Sequence, residues 1–333
     1  AACLGIVAAS VAILTTLALE PMLKRGYSMS LSCGAIGAAG TLGILIPPSI
    51  MLIVYGTIAE ISVGQLLMAA IFPGLLLAVL YIAYILTRCL LQPGIAPTAT
   101  ADEIQIPWTK KAGMLASSLV PPVVIIFSVL GVIFLGIAPP TEASALGALA
   151  ATILVIAKGR FNLKLLKNVL SETALLTGFA WLLFFLGLGA TAIFQRLGCA
   201  NVVESAIMTV GTKWAVFVMI MLIIFILGMV MDYMAILFIM IPIAGPLIVD
   251  FEFDPVWFAT MVCVNLQMAF MTPPMALSIF IIKGTAKPEL GITTGAIIRG
   301  IYPYVAIVMA VLVTCSIFPQ IITWLPGHMI KPW

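Results

Sequence analysis

Gly40-Thr41-Leu42-Gly43-Ile44-Leu45-Ile46-Pro47-Pro48-Ser49-Ile50 interrupts an apolar stretch with two glycines and a proline pair, and Met271-Thr272-Pro273-Pro274 repeats the interruption 226 residues downstream. Proline lacks a backbone N–H and its ring clashes with the preceding turn, so neither run is helical throughout. Each break leaves amides and carbonyls without helical partners at membrane depth, where a ligand, an ion or water has to satisfy them. Two broken helices at corresponding places in two halves of a hydrophobic chain mark the ion and substrate site of a secondary transporter.

The rest of the composition supports that frame. Of 333 residues, 63% are hydrophobic and 8% charged, and the mean hydropathy is +1.27, which describes a polytopic membrane protein. A net charge of +3, scattered along the chain, excludes nucleic acid as a partner. The six cysteines have no metal-like spacing, and the single histidine, His328, lies near the C-terminus. No cofactor is expected. The chain starts at Ala1 without an initiator methionine or a basic leader and is apolar from the outset. It is expected to continue a longer protein, with 3–19 as the returning arm of a first hairpin.

Apolar runs of roughly bilayer length fall at 3–19, 30–58, 64–91, 112–137, 141–157, 171–194, 213–249, 256–283 and 292–325. The run 213–249 is too long for one span and is interrupted at Gly228-Met229-Val230-Met231-Asp232, with Pro242 and Pro246 later. It is expected to be a re-entrant hairpin. Lys24/Arg25, Arg88 with Lys110/Lys111, Lys158 to Lys167, and Lys283/Lys287 place four loops on the cytoplasmic side. The loops at Glu60, Pro139 to Glu142 and Asp250 to Asp254 go outside. Arg196 and Lys213 are exceptions to this pattern. Segment 161–170 has basic and apolar positions at helical spacing and is expected to lie along the inner interface, with a lipid-facing helix as the competing reading.

After each proline pair the same order of signals recurs: a short apolar run, a polar turn (Tyr55 to Glu60; Lys283 to Glu289), then a longer run reaching Phe72-Pro73 or Tyr302-Pro303. The charge rule puts the two polar turns on opposite sides, so the fold class is all-α, with inverted repeats, re-entrant hairpins and proline-broken helices. The expected organisation is 1–62 as transport repeat 1, 63–91 as an arm helix, 92–111 as a cytoplasmic loop, and 112–170 as scaffold and interfacial helices. Transport repeat 2 follows at 171–291, and 292–333 forms a C-terminal arm with Pro73-Gly74 and Pro303 as flexible points.

A sodium ion takes about five or six oxygen ligands, which unwound carbonyls and neutral side chains supply without adding charge to the membrane interior. Candidates are Ser10, Gly40, Thr41, Gly43, Pro47 and Ser49 in the first half, and Gly228, Asp232, Asn265, Gln267, Thr272 and Pro273 in the second. Interhelical hydrogen bonding competes with ligation at Ser10, Thr41 and Asn265. Asp232 is the single acid within the long apolar hairpin; it suits either an ion site or the cap of a helix starting at Tyr233. Glu142 caps a helix on the outer side. A membrane enzyme needs a second intramembrane acid, a histidine or a Ser/Lys pair beside Asp232, so enzymatic activity is not expected.

Gly26-Tyr27 after the basic pair, Gly40-Thr41-Leu42-Gly43 leading into Ile46-Pro47-Pro48-Ser49-Ile50, Pro140-Thr141-Glu142-Ala143, Gly228 with Met231-Asp232, Asp254-Pro255-Val256-Trp257-Phe258, and Asn265 through Pro274 together resemble the large, DctM-like membrane subunit of tripartite ATP-independent periplasmic (TRAP) transporters. The likeness runs over essentially the whole chain. It is nearest the mannitol/chloroaromatic-type branch in Gly5 to Ser10 and Leu23 to Tyr27. Tyr233 stands where members often carry proline after the aspartate. The resemblance implies an elevator-type, sodium-driven importer of a small organic acid in the bacterial inner membrane. It also implies a DctP-like periplasmic binding protein that delivers substrate and a small DctQ-like membrane subunit that braces the scaffold. The competing expectation is a standalone ion-coupled organic anion transporter.

Overall fold

The computed structural model describes residues 5–97, 107–199, 202, 205, 212–274 and 276–329, and all regular structure among them is helical. Cys3, the middle of the 92–111 loop, Met275 and the last four residues lie outside the described residues. Among the described residues six helices are long and apolar enough to cross a bilayer: Val7–Lys24, Val63–Leu91, Trp108–Phe134, Pro140–Ala157, Leu163–Arg196 and Thr294–Ile317.

The first is α1 (Val7–Leu14), continuing through a π-turn at Thr15–Leu19 into α2 (Glu20–Lys24). The chain then forms α3 (Met29–Thr41), the first break, and α4 (Ile50–Ile58). After α5 (Val63–Ala69) and α6 (Ile71–Leu91) come three long helices, α7 (Trp108–Phe134), α8 (Pro140–Ala157) and α9 (Leu163–Arg196). The second half contains α10 (Lys213–Gly228), α11 (Tyr233–Asp250), α12 (Pro255–Ala269), the second break and α13 (Leu277–Thr285). It closes with α14 (Thr294–Ile317) and α15 (Gln320–Gly327).

The two halves repeat in register. α1 and α11 start 226 residues apart, as do α3 and α12, the same spacing as the proline pairs. Their caps also correspond: Ser28 Oγ accepts from Leu31 N at 3.2 Å, and Asp254 Oδ1 accepts from Trp257 N at 2.8 Å. The halves exchange partners as well, α1 packing on α13 and α11 on α4. Each hairpin arm therefore buries itself against the broken helix of the other half.

α12 lies at the centre, with every residue from Trp257 to Ala269 buried, whereas α9 has none buried. α3 and α14 cross with their backbones in direct contact. A Cβ at Gly34 would stand 2.2 Å from Gly300 O, and one at Gly300 would stand 2.0 Å from Ser30 O, so only glycine lets these backbones meet.

Several expected boundaries move. Segment 161–170 is not a separate interfacial helix: Asn162 Oδ1 caps Leu165 N at 2.6 Å, and one helix of 34 residues runs from Leu163 to Arg196 because no proline intervenes. The arm at 63–91 is divided at Ala70, just ahead of Pro73, which cannot donate to the preceding turn. The arm at 292–325 is divided at Phe318-Pro319 for the same reason. Pro242 and Pro246, in contrast, lie within α11. Lys213, which departed from the loop-charge pattern, is held locally: its Nζ donates to Glu252 O at 2.8 Å and lies 4.6 Å from the Phe253 ring centroid.

Candidate functional site

At the first break α3 gives way to a 3-10 turn at Leu42–Ile44, then Leu45, Ile46 and the cis Pro47-Pro48 bond. Ser49 closes it. Its Oγ donates to the carbonyl of Ile44 and accepts from Leu52 N at 3.3 Å, capping α4. At the second break α12 ends at Ala269, the Pro273-Pro274 bond is likewise cis, and Ala276 has positive φ before α13. Ser278 plays the corresponding part, its Oγ donating to Phe270 O at 3.2 Å. Ile44 and Phe270 are 226 residues apart, so equivalent carbonyls in the two halves are each held by a serine.

Each hairpin tip meets the break of its own half. A Cβ on Gly5, just ahead of α1, would lie 3.2 Å from Pro48 O. At the other tip, Tyr233 lies against Phe270 with ring centroids 6.3 Å apart, and a Cβ on Gly228 would lie 2.6 Å from Ala269 Cβ. The N-termini of α1, α4, α11 and α13 thus gather at the breaks with the C-termini of α3, α10 and α12. Helix N-termini carry partial positive charge and C-termini partial negative charge, so the arrangement offers places for both an anion and a cation.

The two breaks are joined through Thr41. Gln267 Nε2 donates to Thr41 Oγ1 at 3.3 Å and reaches Tyr81 OH at 3.4 Å, while Thr41 Oγ1 donates to Ala38 O at 2.9 Å and lies 3.6 Å from Met271 Sδ. Gln267 is fully buried, yet its Oε1 has no hydrogen-bond partner among the described residues. An orphaned amide oxygen costs about 1–3 kcal/mol. A dehydrated cation would satisfy it without requiring a proton donor.

The structure brings together Gly40, Thr41, Gly43, Pro47 and Ser49 at the first break and Thr272 and Pro273 at the second. A Cβ on Gly40 would lie 2.2 Å from Val11 Cγ2, which seats α1, with the buried Ser10, directly on α3. Thr272 Oγ1 is turned back to Met268 O at 2.9 Å. Asn265 Nδ2 donates to Met221 O at 2.7 Å and so ties α12 to the entering arm of the second hairpin. Asp232 caps α11, its Oδ2 accepting from Met234 N at 3.0 Å. The corresponding residue in the first half is Ile6, so the carboxylate belongs to one tip only. Sequence reasoning missed Tyr81 and the Met271 thioether; a tyrosine in the middle of an apolar span was the available signal for the first. Among the described residues no group of three His, Cys, Asp or Glu is placed to hold a metal ion.

Comparisons with known proteins agree with this architecture. Residues 1–321 match the family model described as the tripartite ATP-independent periplasmic transporter, DctM component. The chain is 30% identical over 328 residues to the C4-dicarboxylate TRAP transporter large permease protein DctM of Pseudomonas aeruginosa, covering 96% of this chain and 73% of that protein. It is 30% identical over 322 residues to the sialic acid TRAP transporter permease protein SiaT of Haemophilus influenzae, covering 94% and 50% respectively. It is also 30% identical over 318 residues to the ectoine/5-hydroxyectoine TRAP transporter large permease protein UehC of Ruegeria pomeroyi, covering 91% and 69%.

Proposed function

The chain belongs to the DctM family of TRAP transporter large permeases, a multi-pass protein of the bacterial inner membrane and not an enzyme, and we propose that it couples inward sodium movement to uptake of a small organic acid at the paired helix breaks. The single observation that carries this reading is the orphaned Gln267 Oε1 beside Thr41, where the two halves touch. The carbonyls at the ends of α3 and α12 accept bonds from Leu42 N and Thr272 N, and a second lone pair on such an oxygen would serve a sodium ion. The N-termini of α4 and α13 supply backbone donors for a carboxylate. Ser10, Gly40, Gly43, Pro47, Ser49, Gly228, Asp232, Asn265, Thr272 and Pro273 form the surrounding shell of this site.

Substrate would arrive from a periplasmic binding protein, and a small membrane subunit would cover the exposed flank of α7, α8 and α9. Movement would be of the elevator type. The glycine contact between Gly34 and Gly300 joins α14 to α3 backbone to backbone, which supports a reading in which the first half of α14 moves with the transport block.

The test is uptake of radiolabelled organic acids into proteoliposomes containing the full-length permease and its small subunit, with and without the binding protein and an inward sodium gradient. The reading expects uptake to require both. Sodium-driven uptake without the binding protein would instead favour a standalone transporter, and sodium-independent uptake would contradict the ion assignment.

A further inference from the structure

A second polar pocket lies at the other end of α3 from the helix breaks. It has a volume of about 110 Å³ and is bounded by Ser28 and Ser30 at the start of α3, Tyr84 and Arg88 near the end of α6, and Arg299 and Tyr304 on α14. Ser30 precedes Thr41 by eleven positions on the same helix, or about 16 Å along the axis, so this pocket is separate from the candidate transport site.

Its chemistry is that of an oxyanion receptor. Among the described residues neither Arg88 nor Arg299 is paired with a carboxylate, so two guanidinium groups converge with no counter-charge. The Tyr304 side chain is 1% exposed, and its hydroxyl has no hydrogen-bond partner among the described residues. A buried hydroxyl left in that state requires a partner that the described residues do not supply. The first turn of α3 adds backbone N–H groups and the positive end of a 13-residue helix.

Position selects the source of the anion. The loops adjoining α6 and α14 carry Lys110, Lys111, Lys283 and Lys287, which puts the pocket on the cytoplasmic side by the charge rule. Both arginines are exposed at the ends of apolar helices. Tyr302 follows Arg299 by three residues and so shares its face one turn nearer the bilayer core; it is 56% exposed. A free anion makes no use of apolar surface beside the charges, whereas a lipid lays its acyl chains there. We propose that Arg88, Arg299 and Tyr304 bind the phosphate of an anionic phospholipid of the inner leaflet.

The experiment is a lipid titration of the delipidated full-length permease with its small subunit, followed by native mass spectrometry. Phosphatidylglycerol is compared with phosphatidylcholine of the same acyl chains, and inorganic phosphate forms a third arm. The wild type is expected to bind phosphatidylglycerol about tenfold or more tightly than phosphatidylcholine. R88Q/R299Q is expected to lose that preference, and Y304F to weaken phosphatidylglycerol binding about threefold, with sodium-dependent thermal stability of both variants reporting that they are folded. Equal binding of the two lipids by the wild type, or an unchanged preference in folded R88Q/R299Q, would overturn the proposal. If inorganic phosphate displaces phosphatidylglycerol at comparable concentration, the pocket is a free-anion site and the lipid assignment fails.

Discussion

Thr41 and Gln267 occupy equivalent positions in the two halves of the chain, 226 residues apart, and they touch, Gln267 Nε2 lying 3.3 Å from Thr41 Oγ1. A residue that contacts its own counterpart must lie beside the axis relating the two halves. That location puts the orphaned Gln267 oxygen within reach of both breaks, where one bound ion would contact both halves at once.

Direct contact predicts energetic coupling. In sodium-driven uptake, T41V and Q267L are expected to be non-additive, with a coupling energy on the order of 0.5–3 kcal/mol in the sodium half-saturation of single and double variants. Strictly additive effects would place the two side chains in separate sites.

Asp232 caps α11 through Met234 N, and asparagine caps as well as aspartate does. D232A should lose about 0.5–2 kcal/mol of stability, while D232N should keep the wild-type melting temperature. If the charge also serves the ion, D232N and D232A both weaken sodium dependence; equal stability losses in the two variants would contradict the capping role.

Gly34 and Gly300 cannot accept a Cβ without moving a backbone. G34A or G300A is expected to cost about 1–3 kcal/mol or more, seen as a lower melting temperature or loss of folded protein. The control is G113A in α7, where an added Cβ meets nothing within 4 Å. There alanine should be neutral or stabilising by about 0.4–1 kcal/mol. Equal behaviour of the three variants would remove the close-crossing argument.

Lys287 Nζ lies 2.7 Å from Glu20 Oε2, tying the loop after α13 to the start of α2. That hydrogen bond and charge hold the ammonium above its ordinary pKa. A raised lysine pKa stabilises the folded state below the ordinary lysine value, and the contribution disappears as pH rises through the elevated one. The lysine is 62% exposed, so salt should screen the contact. K287M is therefore expected to match wild type in about 1 M salt, and a deficit unchanged by salt would mean the side chain acts through packing.

The proline pairs were legible because proline acts locally, through a missing donor and a steric clash that no tertiary contact reverses. The order of helices and the charge pattern of the loops followed from similarly local signals. The exchange of partners between α1 and α13 and between α11 and α4 was not legible, since apolar faces such as those at Val11 and Ile236 do not name what covers them. Thr41 and Asp232 were recognisable as polar residues in apolar runs, but Ser278, which holds Phe270 O, was hidden by lying eight positions from its acceptor. The run at 161–170 misled because alternating lysines fit an interfacial helix as well as the first turns of a long one.

The central claim is that Gln267 Oε1 helps to bind the coupling ion, and a sodium titration of thermal stability tests it most directly. The full-length permease with its small subunit would be titrated with sodium chloride against choline chloride at constant ionic strength, as wild type and as Q267L. Sodium should raise the wild-type melting temperature as ligand linkage requires, and Q267L should remain folded with the half-saturating sodium concentration raised about tenfold or more, the loss of one buried ion contact. Identical sodium dependence in the two proteins, or none in the wild type, would contradict the claim.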